Sequence, residues 1–262
     1  MAYSLDKSFK KDLSISSKIY ILLRFNKLEK ILRDFLIFFF KILKKNTETN
    51  QFKNYTNIID SNNFLKYKKE LEEKNYAYVE NFFDENFYNS IKNKWPKKYE
   101  FRPPYGLDKF YDTGFIVKND DDLKLFKGNC TWLEKIYEYL NSENFKKVLR
   151  DFSGYDLYFE SSGLNQTRTG SYIALHLDDV EKNENLYGSL NCIIIFDSSE
   201  SNACANLSLG SSNKWEDIYF KSPNFKNSAL IYRIGNFHYH GFHPVKKNEF
   251  RKAINIRFLR KK

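Results

Sequence analysis

The chain of 262 residues is short of glycine (10), proline (5), histidine (4), cysteine (3) and methionine (1). So little glycine and proline excludes collagen-like and low-complexity proteins. The three cysteines, Cys130, Cys192 and Cys204, form no CxxC or other metal-ligand spacing. They read as reduced thiols of a cytoplasmic protein, not as a disulfide framework. The opening Met1 to Lys7 lacks the charged-then-apolar order of a secretory signal. No internal repeat is present.

What is abundant is aromatic and basic. Phenylalanine (25), tyrosine (19) and tryptophan (3) make up 18% of the chain, and 43 basic against 33 acidic residues leave a net charge of +10. Such an excess favours anionic partners. The lysines are spread along the whole chain, however, which fits a solvated surface equally, and no basic-aromatic groove motif supports a nucleic-acid partner. The length suffices for one sizeable core with an appended segment.

That segment is residues 1–63. From Lys18 to Lys45, Ile21, Phe25, Leu28, Leu32, Phe35, Phe39 and Ile42 recur at helical spacing and form one apolar stripe. Its longest uncharged run, Phe35 to Phe40, is far short of the ~20 residues that cross a bilayer. Three readings of residues 18–45 stay open. The stripe packs on the main domain or a second copy as a homodimer, lies peripherally on the inner membrane face with its lysines and arginines at the headgroups, or docks another protein. Asn46 to Asn63 reads as a linker.

Residues 64–262 read as the folded domain, with helical support over 64–152 and a β core over 153–262. A charged helix is expected over Phe64–Lys74, a strand over Tyr76–Asp84 and a helix over Glu85–Trp95. Phe101 to Gly114 reads as an aromatic loop at an entrance or on the surface. Trp132–Phe152 reads as one or two helices. Strands are then expected near 155–161, 170–177, 188–197, 205–209, 215–220, 228–234, 237–243 and 251–259. Eight short strands after a helical third predict an α+β protein, mostly β in its core: a double-stranded β-helix, or jelly roll, with supporting N-terminal helices.

The four histidines concentrate the chemistry. In an extended strand residues i and i+2 share a face, so His176 and Asp178 present an imidazole and a carboxylate together. A third ligand has to come from elsewhere, and His240 is the best candidate; His238 shares its strand parity. Two histidines and one carboxylate on one face of a metal suit non-haem Fe(II) that activates oxygen.

His176-x-Asp178, then His240-Gly241-x-x-Pro244-Val245, then Arg251 opening an apolar strand, resembles the Fe(II)/2-oxoglutarate-dependent dioxygenases, particularly the prolyl-4-hydroxylase-like branch. The resemblance spans roughly Asn75 to Leu259. It implies Fe(II), 2-oxoglutarate and O2 as cofactor and co-substrates, with His176, Asp178 and His240 as metal ligands. Arg251 would hold the far carboxylate of 2-oxoglutarate through paired hydrogen bonds. Asn255 and Arg257 share the Arg251 face, so Asn255 is expected to add a hydrogen bond to that carboxylate. Tyr172, read on the His176 face, is expected against co-substrate or substrate. His238 would stand behind the metal ligands or face the substrate, and His243 would pack or lie at the surface.

The activity implied is hydroxylation of an unidentified lipid-linked, glycan, small-molecule or peptidyl substrate, with 2-oxoglutarate decarboxylated to succinate and CO2. Asp178 argues against the halogenating relatives, which lack this ligand. Two features depart from the pattern: Thr167 holds a slot where relatives often carry tyrosine, and Cys204-Ala-Asn-Leu-Ser-Leu replaces Gly-Gly-x-Leu. A non-catalytic jelly-roll binding module at a membrane surface and a metal hydrolase on a similar barrel are the alternatives.

Overall fold

The computed structural model describes residues 58–96, 109–118, 131–183, 186–199, 206–223 and 225–261. The stripe over 18–45 and most of the expected linker lie outside them. Ile58 and Ile59, read as linker, are buried, and Ile59 bridges to Phe83. The packed domain therefore begins no later than Ile58.

The expected Phe64–Lys74 helix is two helices, α1 (Ser61–Leu65) and α2 (Lys68–Lys74). The helix α3 (Glu85–Ile91) starts where the Asp84 carboxylate accepts from the amides of Asn86 and Phe87. Next come α4 (Thr131–Leu140) and α5 (Glu143–Ser153), split where the Ser142 hydroxyl caps α5 by accepting from Phe145. Gly154, at φ 79°, closes α5 in the left-handed conformation glycine tolerates best.

The strands are β1 (Tyr76–Val79), β2 (Lys109–Phe110), β3 (Asp112–Val117), β4 (Tyr158–Gln166), β5 (Tyr172–His176) and β6 (Glu181–Asn183). They continue with β7 (Leu186–Ser198), β8 (Ser208–Gly210), β9 (Ile218–Lys221), β10 (Ser228–Arg233), β11 (Tyr239–Phe242) and β12 (Arg251–Lys261). Among the described residues they form a seven-stranded sheet, β1-β10-β7-β12-β4-β3 with β6 on β7, and a five-stranded sheet, β2-β5-β11-β8-β9. Each pairing is antiparallel. This is the expected jelly roll with its supporting helices.

One expectation fails at Phe101–Gly114. Residues 101–108 lie outside the described ones, but 109–114 supply strands to both sheets instead of a loop. The dense Pro, Gly and Asp signals there are overridden by pairing with β5 and β4.

The large sheet is buried on both faces. On its outer face Cys192, Ile194 and Phe196 of β7 and Ile254, Ile256 and Phe258 of β12 meet Phe64, Trp132, Phe145 and Phe152 of the helices. On its inner face Ile193, Ile195, Leu230, Tyr232 and Ala253 meet Ile173, Leu209 and Phe242 from the small sheet and Val245 from the segment after β11. By the same alternation Arg251, Asn255 and Arg257 of β12 stand on the inner face with Ala253.

One irregularity shapes the small sheet. His240 pairs with His176 and Phe242 with Ile173, so Ala174 and Leu175 of β5 oppose the single residue Gly241 of β11. The strands come so close that a Cβ on Gly241 would lie 2.6 Å from the Ile173 carbonyl oxygen and 3.1 Å from Leu175 N. Backbone atoms cannot swing aside as a side-chain tip can. Gly241→Ala is therefore expected to cost about 1–3 kcal/mol, as overpacking does, and to push His240 away from His176. Chemical denaturation with a metal titration checks this; wild-type values for both would remove the role given to Gly241.

Candidate metal centre

The bulge at Gly241 restores the alignment that brings two histidines together. His176 and His240 face each other across β5 and β11, with ring centroids 4.2 Å apart. Asp178 follows the end of β5, and its Oδ2 lies 3.7 Å from His240 Nε2. One donor atom each from His176, Asp178 and His240 falls within 4.8 Å of the others. The His176 ring nitrogen Nδ1 donates to the Ala174 carbonyl at 2.9 Å, because a carbonyl can only accept. That bond leaves Nε2 with the lone pair a metal needs.

Asp178 sits in a polar nest. Asn191 Nδ2 donates to its Oδ2 at 3.0 Å and the Tyr232 hydroxyl does so at 3.1 Å; the same Asn191 amide also donates to Tyr232 at 2.8 Å. Burial alone would raise the Asp178 carboxyl pKa. His240, His176, Arg257 and the Asn191 amide outweigh it and hold the carboxyl down to about 2, so it is ionised at neutral pH. Tyr232 is pushed well above the ordinary phenol value by burial and by Asp178, which keeps its hydroxyl a donor. Tyr232, Asn191 and Arg257 lie in one row across β10, β7 and β12, with Asn191 paired to both.

Arg251 is as buried as His240, each 4% exposed, and its guanidinium lies 4.6 Å from the centre of the Phe242 ring. Phe242 is two residues from His240 on β11, about 7 Å along a strand. Burial pushes the Arg251 pKa down to about 10, partly offset by Tyr111, so it is still a cation at neutral pH. The Asn255 Oδ1, on the same face of β12, is buried without a hydrogen-bond partner. Thr167 pins the entry to β12: its Oγ1 accepts from the Arg251 amide at 2.7 Å and its own amide donates to the Arg251 carbonyl at 2.8 Å.

No protein-family model matches this chain, and no curated protein sequence does. Solved structures do share its architecture. A 2OG-Fe(II) oxygenase family oxidoreductase from Burkholderia pseudomallei aligns over 75% of this chain and 90% of its own, with TM-score 0.53 and 13% identity. The non-haem α-ketoglutarate-dependent epimerase SnoN of nogalamycin biosynthesis aligns over 77% of this chain and 84% of its own, with TM-score 0.54 and 9% identity. A prolyl 4-hydroxylase from Phytophthora capsici aligns over 82% of this chain and 70% of its own, with TM-score 0.53 and 12% identity. The fold is that of the 2-oxoglutarate–Fe(II) oxygenases.

Within that oxygenase fold the structure brings together His176, Asp178 and His240, and sets Arg251 and Asn255 on the inner face of the large sheet. It does not bring Tyr172 with them. Ile173 points into the barrel, so its neighbour Tyr172 stands on the other face of β5, and the bulge between Ile173 and His176 reverses the parity on which a shared face depended. Tyr172 is fully buried there.

His238 lies outside the triad. Its Nε2 donates to the Asn75 carbonyl at 3.0 Å and its Nδ1 accepts from the Tyr219 hydroxyl, so neither nitrogen has a lone pair for a metal. Its ring meets the Tyr232 ring edge-on at 6.4 Å, so it stands behind a neighbour of Asp178. His243 packs on Trp215, ring centroids 3.9 Å apart.

Asn191 and Tyr232 escape a reading of the sequence alone. The one available signal is a lone amide inside the apolar run Leu190 to Phe196, a costly residue to bury without a partner.

Proposed function

We propose that this chain is an Fe(II)- and 2-oxoglutarate-dependent dioxygenase that hydroxylates its substrate while 2-oxoglutarate is decarboxylated to succinate and CO2. The observation that carries the reading is the convergence of His176, Asp178 and His240 within 4.8 Å inside an oxygenase fold that also buries Arg251. Two imidazoles and an ionised carboxylate are the donor set that suits non-haem Fe(II). Buried polar groups on the inner face, Arg251 and the Asn255 amide, suit an acidic co-substrate better than an apolar one.

When bound, Fe(II) with 2-oxoglutarate supplies the oxidation of a substrate C–H bond by O2. The roles of the chain follow from its geometry. His176, with its tautomer set by the Ala174 carbonyl, His240 and Asp178 would hold the metal. Arg251 would take the far carboxylate of 2-oxoglutarate, with Asn255 on the same face two inward positions further along β12. Ile173, Phe242 and Tyr232 exclude water around that path.

The test is succinate formation by the iron-loaded protein supplied with 2-oxoglutarate, O2 and pools of glycan, lipid-linked, small-molecule and peptidyl compounds. Succinate in step with one oxidised pool is expected. Intact 2-oxoglutarate with every pool would favour the non-catalytic binding module.

A further inference from the structure

Three strands of the large sheet meet where β12 stops. Arg260 of β12 lies opposite Tyr187 at the start of β7, and Leu259 lies opposite Tyr158 at the start of β4. Tyr155 follows Gly154, which closes α5. Together Tyr155, Asp156, Tyr158, Tyr187, Arg260 and Lys261 line a groove of about 380 Å³. That is room for a small ligand or the polar end of a larger one.

The cations of this groove are held in place without being neutralised. The Arg260 guanidinium lies 4.7 Å from the centre of the Tyr155 ring, and Arg233 lies 5.0 Å from the same centre. Lys261 Nζ lies 5.5 Å from the centre of the Tyr158 ring. A ring attracts a cation through its quadrupole but carries no net charge. It fixes the cation and leaves the charge and the N–H groups unused. Arg233 has an acceptor, the Ser153 carbonyl at 3.0 Å, at the negative end of α5. Among the described residues no carboxylate pairs with Arg260 or Lys261. The nearby acids are engaged elsewhere, Asp156 by Arg150 and Glu160 by Arg257 at 3.0 Å. Two guanidiniums on one ring also repel each other, and an anion in the groove would offset that repulsion.

We propose that this groove binds a phosphoryl group, with Arg260 and Lys261 taking its oxygens and the Tyr155 and Tyr158 hydroxyls as further donors. A carboxylate brings one charge and two oxygens. A phosphate monoester brings nearly two charges and three oxygens, which matches an arginine and a lysine on one groove. The site uses none of the metal ligands and does not depend on the iron reading. It is joined to them through β12: Arg257, three residues before Arg260, donates to the Asp179 carbonyl next to Asp178.

The experiment titrates the full chain with inorganic phosphate at constant ionic strength, by calorimetry. Saturable binding is expected, about 3- to 10-fold weaker in Arg260→Gln and in Lys261→Gln. Lys69→Gln, which removes an exposed lysine of α2, is expected to bind as the wild type does. Thermal melting verifies that the variants fold. Sedimentation with phosphatidylcholine vesicles carrying a phosphoinositide then identifies the source of the phosphoryl group. Pelleting that falls in both groove variants assigns a lipid headgroup, and pelleting that neither variant changes assigns a soluble phosphate ester. No saturable phosphate binding, binding that both groove variants retain in full, or an equal loss in Lys69→Gln would overturn the proposal.

Discussion

Asp178→Ala is expected to abolish both metal binding and turnover. Three groups hold the metal in the proposed site, and Asp178 alone among them brings negative charge. It is ionised because His240, His176, Arg257 and Asn191 together outweigh the burial that opposes its charge. Its removal leaves two imidazoles 4.2 Å apart, centroid to centroid, and no negatively charged ligand to balance a dication. The loss is expected to exceed the about 100-fold that removal of a partner behind a ligand can cost.

Asp178→Asn separates this effect from folding. The amide keeps the shape and can still accept from Tyr232, so the metal-free protein is expected to melt near the wild-type temperature while metal binding falls. Metal titration with a succinate assay decides the matter, and a fully active Asp178→Ala protein would remove the triad from the account.

Arg251→Ala has the second large effect, and its signature differs. A guanidinium pairs with a carboxylate through two parallel hydrogen bonds, and hydrogen bonds to charged groups contribute about 1.5–3 kcal/mol each. A loss of roughly 3 kcal/mol corresponds to about a 100-fold higher 2-oxoglutarate requirement, at 1.4 kcal/mol per factor of ten. Because the far carboxylate is held before and during the reaction alike, KM for 2-oxoglutarate should rise with little change in kcat. Metal affinity without co-substrate should not change, since Arg251 lies beside Phe242, a strand layer from His240. Arg251→Lys keeps the charge without the fork and is expected to fall between the two. An unchanged requirement in Arg251→Ala would move the role to Arg257, the other inner-face arginine on β12.

Much of this site was legible in the sequence because it depends on local spacing. The strands expected from residue 155 onward each overlap an observed one, β4, β5 and β7 to β12, though β6 was not expected, and His176, Asp178, His240 and Arg251 lie on or next to three of them. What stayed hidden depends on contacts distant in sequence. The bulge opposite Gly241 involves Ala174 and Leu175, and nothing in either segment announces it; it reverses parity and takes Tyr172 out of the face it was expected to share. Asn191 and Tyr232 meet Asp178 from 13 and 54 residues away. Likewise β2 and β3 come from a stretch whose prolines and glycines signal a loop, and only pairing with β5 and β4 makes them strands.

Thr167 shows how a departure from the family pattern can be reread. In the slot where relatives often carry tyrosine, it bonds through both Oγ1 and its amide to the backbone of Arg251. It thus fixes the entry of the strand that carries the proposed carboxylate anchor.

The measurement that tests the central claim most directly is anaerobic calorimetry of 2-oxoglutarate binding, with Mn(II) present and then absent. The triad and Arg251 together predict saturable binding that needs the metal and is lost in Asp178→Ala. No binding to the metal-loaded protein would contradict the account and leave the barrel as a non-catalytic module or a hydrolase.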